Sequence, residues 1–182
     1  MPAGLKQQTD SVTIRALTPD DWQEFAAIRL EALQKYPQFF GSTYAHESAY
    51  GKEEWQNWLG DAKGCLFALY DGRTIIGTTG IMTSRDDPSG STAILIASYI
   101  KPEYQGRGLS KKLYDARINW AVAQPQLKTL CVSHREGNEP SRRANQKWGF
   151  RFTDKAPKAW KDGTNSVEYH YELDLEQLRK QQ

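Results

Sequence analysis

The 182-residue sequence has little that would commit it to a membrane, a metal ion or a nucleic acid. No apolar run approaches the roughly 20 residues that a membrane-spanning helix needs. The opening Met1-Pro2-Ala3-Gly4-Leu5-Lys6-Gln7-Gln8 lacks the apolar centre of a signal peptide. The expectation is therefore a cytoplasmic protein with no membrane partner. Cysteine is scarce: Cys65 and Cys131 are too far apart for a metal spacing or a disulfide framework, and each lies in an apolar run, which suits a buried free thiol. The three histidines, His46, His134 and His170, are too scattered for a zinc site, so no metal is expected. The formal net charge is only +2, with Arg142-Arg143 the densest basic pair inside the fold. Without a clustered basic patch no nucleic-acid partner is expected. Repeats and low-complexity segments are absent.

What is present is a core-forming composition, 38% hydrophobic and 12% aromatic, in a chain of single-domain size. Residues 1–10 read as a disordered lead-in and residues 11–182 as one domain. The strongest local signal is Tyr104-Gln105-Gly106-Arg107-Gly108-Leu109-Ser110. It follows the apolar run Ala93 to Ile100 and precedes a helical spacing of Leu109, Leu113, Ala116 and Trp120. Two glycines on a strand-to-helix turn let the backbone approach a ligand closely. The amides of the first helical turn lack partners and the helix dipole favours an anion there. With Arg107 alongside, these residues can hold a pyrophosphate; a plain glycine-tolerant turn is the alternative. A P-loop is excluded, because no Gly-x4-Gly-Lys-Ser/Thr run exists. A dinucleotide fingerprint is disfavoured: its third glycine would fall at Lys111, and no acidic residue follows a second strand at the expected distance.

Two motifs in order resemble the GNAT acyltransferase superfamily. The first is Tyr99-Ile100-Lys101-Pro102-Glu103 leading into Gln105-Gly106-Arg107-Gly108-Leu109-Ser110, with Ser110 where Gly or Ala is usual. The second is Asn138-Glu139-Pro140-Ser141, opening a helix that closes on Lys147-Trp148-Gly149-Phe150; its Asn and Pro suit an N-terminus and its Gly a left-handed cap. Weaker support comes from Arg29-Leu30-Glu31-Ala32-Leu33, Pro37-Gln38-Phe39-Phe40-Gly41-Ser42 and Glu47, which look like a small-molecule branch. The likeness runs from about Val12 to Leu175.

Element by element, Val12 to Ala16 reads as a strand. A helix begins at Thr18-Pro19, turns Trp22, Phe25, Ile28 and Leu33 to the core, and ends before Pro37. A second helix is expected over Glu53 to Leu59. A hairpin of Cys65 to Tyr70 and Thr74 to Thr83 turns at Asp71-Gly72. Then come the strand and helix around the glycine turn, a strand over Leu127 to Val132, a helix over Glu139 to Trp148, and strands over Phe150 to Thr153 and Val167 to Leu173. The order βααβββαβαββ gives an α/β fold, with one mixed sheet of about seven strands and helices on both faces. The resemblance adds that the central parallel strands splay to admit a pantetheine arm.

The resemblance implies acetyl transfer from acetyl-CoA to a primary amine by direct attack. Tyr99, Ile100, Gln105, Gly106, Arg107, Gly108, Leu109, Ser110, Asn138, Ser141 and Asn145 are the expected CoA-binding residues, with a backbone N–H near Ser98 to Ile100 polarising the thioester. Arg142-Arg143 could help with the phosphates. Many relatives have a Tyr seven residues after the Asn; here that position is Asn145, which is no general acid. His134, expected just past the fifth strand, is then the best titratable candidate for catalysis. Phe39, Phe40, Glu47 and Trp160 are candidate acceptor residues, Glu47 as partner of a substrate ammonium. The expected partner is a small or amino-acid-like amine; a homodimer stays open. The rival readings are a protein N-terminal or lysine acetyltransferase, and a non-catalytic acyl-CoA-binding regulatory domain.

Overall fold

The computed structural model describes residues 11–182, so the expected lead-in lies outside the described residues. β1 (Val12–Ala16) leads to a 3-10 turn at Pro19–Asp21, where the Thr18 N–H donates to Asp21 Oδ2 at 2.8 Å. α1 (Trp22–Lys35) follows and buries Phe25, Ile28, Ala32 and Leu33 at helical spacing. It stops before Pro37, as expected. α2 (Tyr44–Glu47) is a single turn between the two helices expected from the sequence. Thr43 makes it, by accepting the His46 N–H on its hydroxyl. α3 (Lys52–Leu59) starts one residue earlier than expected.

β2 (Gly64–Asp71) and β3 (Thr74–Thr83) form the hairpin, with Gly72 at φ 58°. β4 (Thr92–Ile100) and α4 (Ser110–Val122) flank the glycine turn. β5 (Thr129–Arg135), α5 (Glu139–Lys147), β6 (Arg151–Ala159), β7 (Asn165–Asp174) and α6 (Leu175–Arg179) complete the chain. α6 was not expected; Asp174 caps it through the Gln177 N–H at 2.9 Å. β5 runs to Arg135, which corrects the placement of His134: it is a strand residue. β6 runs on to Ala159, so Pro157-Lys158-Ala159 belong to a strand rather than a loop. Pro157 is tolerated because β6 is the outer strand of the sheet.

The seven strands form one mixed sheet in the order β1-β2-β3-β4-β5-β7-β6. Alternation along β2 sorts its two faces. Leu66, Ala68 and Tyr70 pack with Phe25, Trp55 and Leu59 under α1 and α3. Phe67, Ile81, Ala93, Leu95, Leu130 and Tyr171 pack with Tyr114 and Ala121 under α4. Two irregularities in the middle of the sheet create the site. β4 and β5 are parallel and pair only at Thr92↔Thr129, Ala93↔Leu130 and Ile94↔Cys131; beyond these they diverge. On the other side of β4, Thr78 faces Tyr99 but Gly80 faces Ile96, so two residues of β4 oppose one of β3. Ala97 sits in that bulge at φ 57°, the sole positive-φ non-glycine among the described residues.

Candidate active site

The parting of β4 and β5 opens a continuous cleft of about 1820 Å³ through the sheet. That exceeds the roughly 300–1,000 Å³ of a site for one small ligand, and leaves room for a long ligand meeting a second one.

One end of the cleft is the glycine turn. Gly106 and Gly108 lie at φ 74° and 75°, and an added Cβ would meet nothing within 4 Å at either. Their requirement is conformational: left-handed dihedrals penalise side chains, and the turn is open to a ligand. The amides of Gly106, Arg107, Gly108 and Leu109 donate to no acceptor among the described residues. Four free donors ahead of α4 form a cradle for an anion, which fits a pyrophosphate. The side chains brace this turn rather than fill it. Gln105 Nε2 donates to the Ile100 carbonyl at 2.8 Å, and an Arg107 NH2 donates to the Glu103 carbonyl at 2.7 Å. Leu109 is a core residue, packed with Leu113 and Ile76, so its amide and not its side chain is open to a ligand. Arg142 is bound to Glu139 at 2.6 Å and is no free phosphate ligand.

The two lips of the cleft differ. On the β4 lip, Tyr99 is buried against α1 and donates to Glu31 Oε1 at 2.7 Å, so its backbone alone, with that of Ile100, faces the opening. Burial and the Glu31 carboxylate push the Tyr99 phenol well above its ordinary range. The opposite lip is the start of α5. Asn138 caps it, accepting the Ser141 N–H at 3.3 Å, and both side chains line the cleft. Asn145, two turns on, is 2% exposed. Its Oδ1 accepts the Tyr114 hydroxyl at 2.6 Å, while its Nδ2 has no partner. A buried amide N–H left unpaired beside an opening is a donor waiting for a ligand.

His134 is 6% exposed, stacks flat on Tyr169, and has both ring nitrogens engaged. Nδ1 is 2.9 Å from the Arg135 carbonyl, which can only accept, so Nδ1 carries the hydrogen and Nε2 accepts from the Tyr171 hydroxyl at 2.9 Å. The ring has no lone pair free for an incoming proton. Glu47 also departs from expectation. It is 3% exposed and held by Arg29 through two bonds of 2.8 Å, Nε to Oε2 and NH2 to Oε1; it is not free to pair with a substrate ammonium. Phe39 and Phe40 do line the cleft, Phe40 under the Arg29 guanidinium. Trp160 lines it too, but its ring already carries Arg135 at 5.0 Å and Lys158 at 4.5 Å.

Within the cleft, the α1-side face of β5, β7 and β6 is a polar floor absent from the sequence reading. Ser133, His170 and Glu168 share it by register. Ser133 Oγ and Lys158 Nζ donate to Glu168 Oε1 at 2.7 and 2.8 Å. His170 lies between carboxylates, with Nε2 3.3 Å from Glu168 and Nδ1 3.2 Å from Asp154. Its signal in the sequence was the alternation Glu168-x-His170-x-Glu172, which puts three polar side chains on one face of a strand.

An amide-lined anion cradle opening onto a split between parallel strands suits a long phosphorylated ligand threaded through the sheet, as acyl transfer from a carrier requires. The chain belongs to the GNAT acetyltransferases: the profile described as "Acetyltransferase (GNAT) domain" matches residues 11–151. It is 24% identical over 179 residues to YdaF of Bacillus subtilis, whose name assigns it provisionally to ribosomal N-acetylation; 95% of this chain and 93% of that one are covered. It is 28% identical over 148 residues to the spermine/spermidine N(1)-acetyltransferase of Bacillus subtilis, covering 78% of this chain and 89% of that one. Among solved structures, an N-acetyltransferase from Staphylococcus aureus matches with a TM-score of 0.73 at 22% identity, covering 90% of this chain and 98% of that one. yncA from Salmonella typhimurium, solved with its cofactor acetyl-CoA, also gives 0.73, at 19% identity, covering 90% and 94%. These two likenesses are of fold. No helix among the described residues is long and apolar enough to cross a membrane.

Proposed function

We propose that this GNAT acetyltransferase moves an acetyl group from acetyl-CoA to a primary amine of a small acceptor. The observation that carries this reading is the row of unpartnered amides from Gly106 to Leu109 at the mouth of the split sheet. The pyrophosphate would sit on those amides, the pantetheine arm between β4 and β5 beside Asn138 and Ser141, and the thioester near the unpaired Asn145 Nδ2. A backbone N–H near Ser98 to Ile100 would polarise the carbonyl. The amine nitrogen attacks the acyl carbon, the carbon–sulfur bond breaks with its electron pair on sulfur, and the amine gives up a proton.

The polar floor supports a cationic acceptor entering from the α1 side. Asp154, Glu168 and Glu172 line that part of the cleft, and carboxylates attract an ammonium. The reachable cluster of Asp154, Glu168 and His170 is better placed to take the proton than His134, which is buried with both nitrogens engaged. The relatives named for spermine and for ribosomal acetylation point to acceptors of two kinds. The aromatic wall of Phe40 and Trp160 and the Arg29–Glu47 clamp narrow the acceptor end, which favours a small amine over a peptide. A CoA-release assay across amines, amino acids and peptides tests this. Turnover with free amines supports it; turnover confined to peptides gives the protein-acetylating reading.

A further inference from the structure

Arg117 is a buried cation without a counter-ion. It is 2% exposed, on the cleft-facing side of α4, and no carboxylate among the described residues pairs with it. Its partners are neutral. Nε donates to the Leu113 carbonyl at 3.1 Å, NH1 donates to Ser98 Oγ at 2.9 Å, and the guanidinium lies 4.6 Å from the centre of the Tyr114 ring. Taking a charge out of water without pairing it is costly. A leucine would fill this position on the apolar face of α4 at no such cost.

Two of the three groups that Arg117 touches, Ser98 and Tyr114, lead to the cleft. Ser98 is the second residue of the β4 bulge, after Ala97, and is exposed in the opening. Its Oγ is 2.8 Å from Thr79 Oγ1. When Thr79 donates, Ser98 accepts from both Thr79 and Arg117, and its own hydrogen is free to point into the cleft. On the other side, the Tyr114 hydroxyl fixes Asn145 Oδ1 and so leaves Asn145 Nδ2 unpaired and buried, on a residue that lines the cleft. One guanidinium thus stands behind two donors on the walls of one cleft.

We propose that Arg117 is the positioning charge for the leaving group: through Ser98 and Asn145 it stabilises the thiolate of CoA as the carbon–sulfur bond breaks. The inference rests on the reading that the cleft holds a CoA thioester. The electron pair of the broken bond stays on sulfur, the Ser98 hydroxyl and Asn145 amide donate to it, and the field of Arg117 lowers its energy in a site shielded from water. No proton needs to reach sulfur in this step, which answers the absence of a tyrosine at position 145. Desolvation holds the Arg117 pKa down at about 10, so the side chain stays charged at neutral pH. The titratable group acting on it is Tyr114 of the same helix, whose own pKa burial raises above the usual phenol value. Across the cleft stand His134 of β5 and Tyr171 of β7, bonded to each other.

The test is the acidity of the CoA thiol in its complex with the protein, followed by the ultraviolet absorbance of the thiolate. Calorimetry first establishes CoA binding for the wild type, Arg117→Gln, Arg117→Lys and Ser98→Ala. The bound thiol is expected to be about tenfold or more stronger an acid than free CoA. In Arg117→Gln it returns toward the free value, and Arg117→Lys keeps most of the shift. Ser98→Ala, which removes a single exposed hydroxyl and should fold, loses part of it. In turnover, kcat falls in Arg117→Gln while KM for acetyl-CoA moves little. A wild-type thiol titrating like free CoA overturns the inference, as does an unchanged titration in Arg117→Gln or, should that protein not fold, in Ser98→Ala. A wild type that binds no CoA overturns the acetyl-CoA reading itself, which distinguishes the two failures.

Discussion

Arg29 and Glu47 form a two-bond ion pair that is almost wholly buried, with side chains 7% and 4% exposed. It ties α1 to the one-turn α2 and so fixes the aromatic segment that walls the acceptor end. Breaking a buried pair leaves one charge uncompensated, at a cost of about 3–5 kcal/mol. Glu47→Gln and Arg29→Met should each lower the denaturation midpoint accordingly, and the double replacement by Met and Leu should recover much of the loss. Unchanged stability in Glu47→Gln, with a raised KM for the amine alone, would return Glu47 to substrate binding.

Gly108→Val should abolish binding of acetyl-CoA while leaving the far-ultraviolet circular dichroism intact. The position has φ 75° and no neighbour within 4 Å, so the defect is one of backbone conformation. Left-handed dihedrals cost a residue with a side chain about 1–2 kcal/mol, more for a β-branched one, and relieving that strain re-aims the amides. Calorimetry showing wild-type affinity in Gly108→Val would place the anion elsewhere.

The frame of this fold was legible because its signals are local. Asp71-Gly72 marked a hairpin, Pro37 a helix end, and the two glycines an anion turn; each acts within a few residues. The site chemistry was less legible, because burial is decided by distant elements. The spacing puts Leu109, Leu113, Ala116 and Trp120 on one stripe of α4. The buried residues of the helix are Leu113, Tyr114, Arg117 and Ala121, and a charged residue at that spacing was the missed clue. Glu47 reads as a partner for a substrate ammonium because its actual partner, Arg29, is 18 residues away. The apolar run fades at Val132 and so puts His134 past its strand, although the ladder with β7 continues to Arg135↔Glu168.

His170 and His134 separate in a kinetic test. His170→Ala should reduce kcat, and added imidazole should restore part of it, since the ring is a third exposed and reachable. His134→Ala should lower stability by about 1–3 kcal/mol, because it leaves the buried Tyr171 hydroxyl without its acceptor, with no rescue by imidazole. Imidazole rescue of His134→Ala alone would reverse the assignment.

Acid stability should depend on Asp21. Its hydrogen bonds to Arg15 hold the carboxyl at about 2, against an ordinary value of 3.8. A carboxylate lowered in the folded state contributes stability above its unfolded value and loses it as pH falls toward the folded one. The loss should therefore run from about pH 4 down to about 2, and Asp21→Asn should flatten that limb. Arg15 is half exposed, so salt should weaken the effect. An identical acid limb in Asp21→Asn would contradict the assignment.

The central claim is transfer of an acetyl group to a small amine, and the direct measurement is mass spectrometry of reactions containing acetyl-CoA and individual amines, with free CoA thiol measured in parallel. The account predicts an acetylated small amine formed in step with released CoA by the wild type, and neither product with Gly108→Val. Binding of acetyl-CoA with no acetylated free amine, whether because only peptides react or because nothing does, would contradict it.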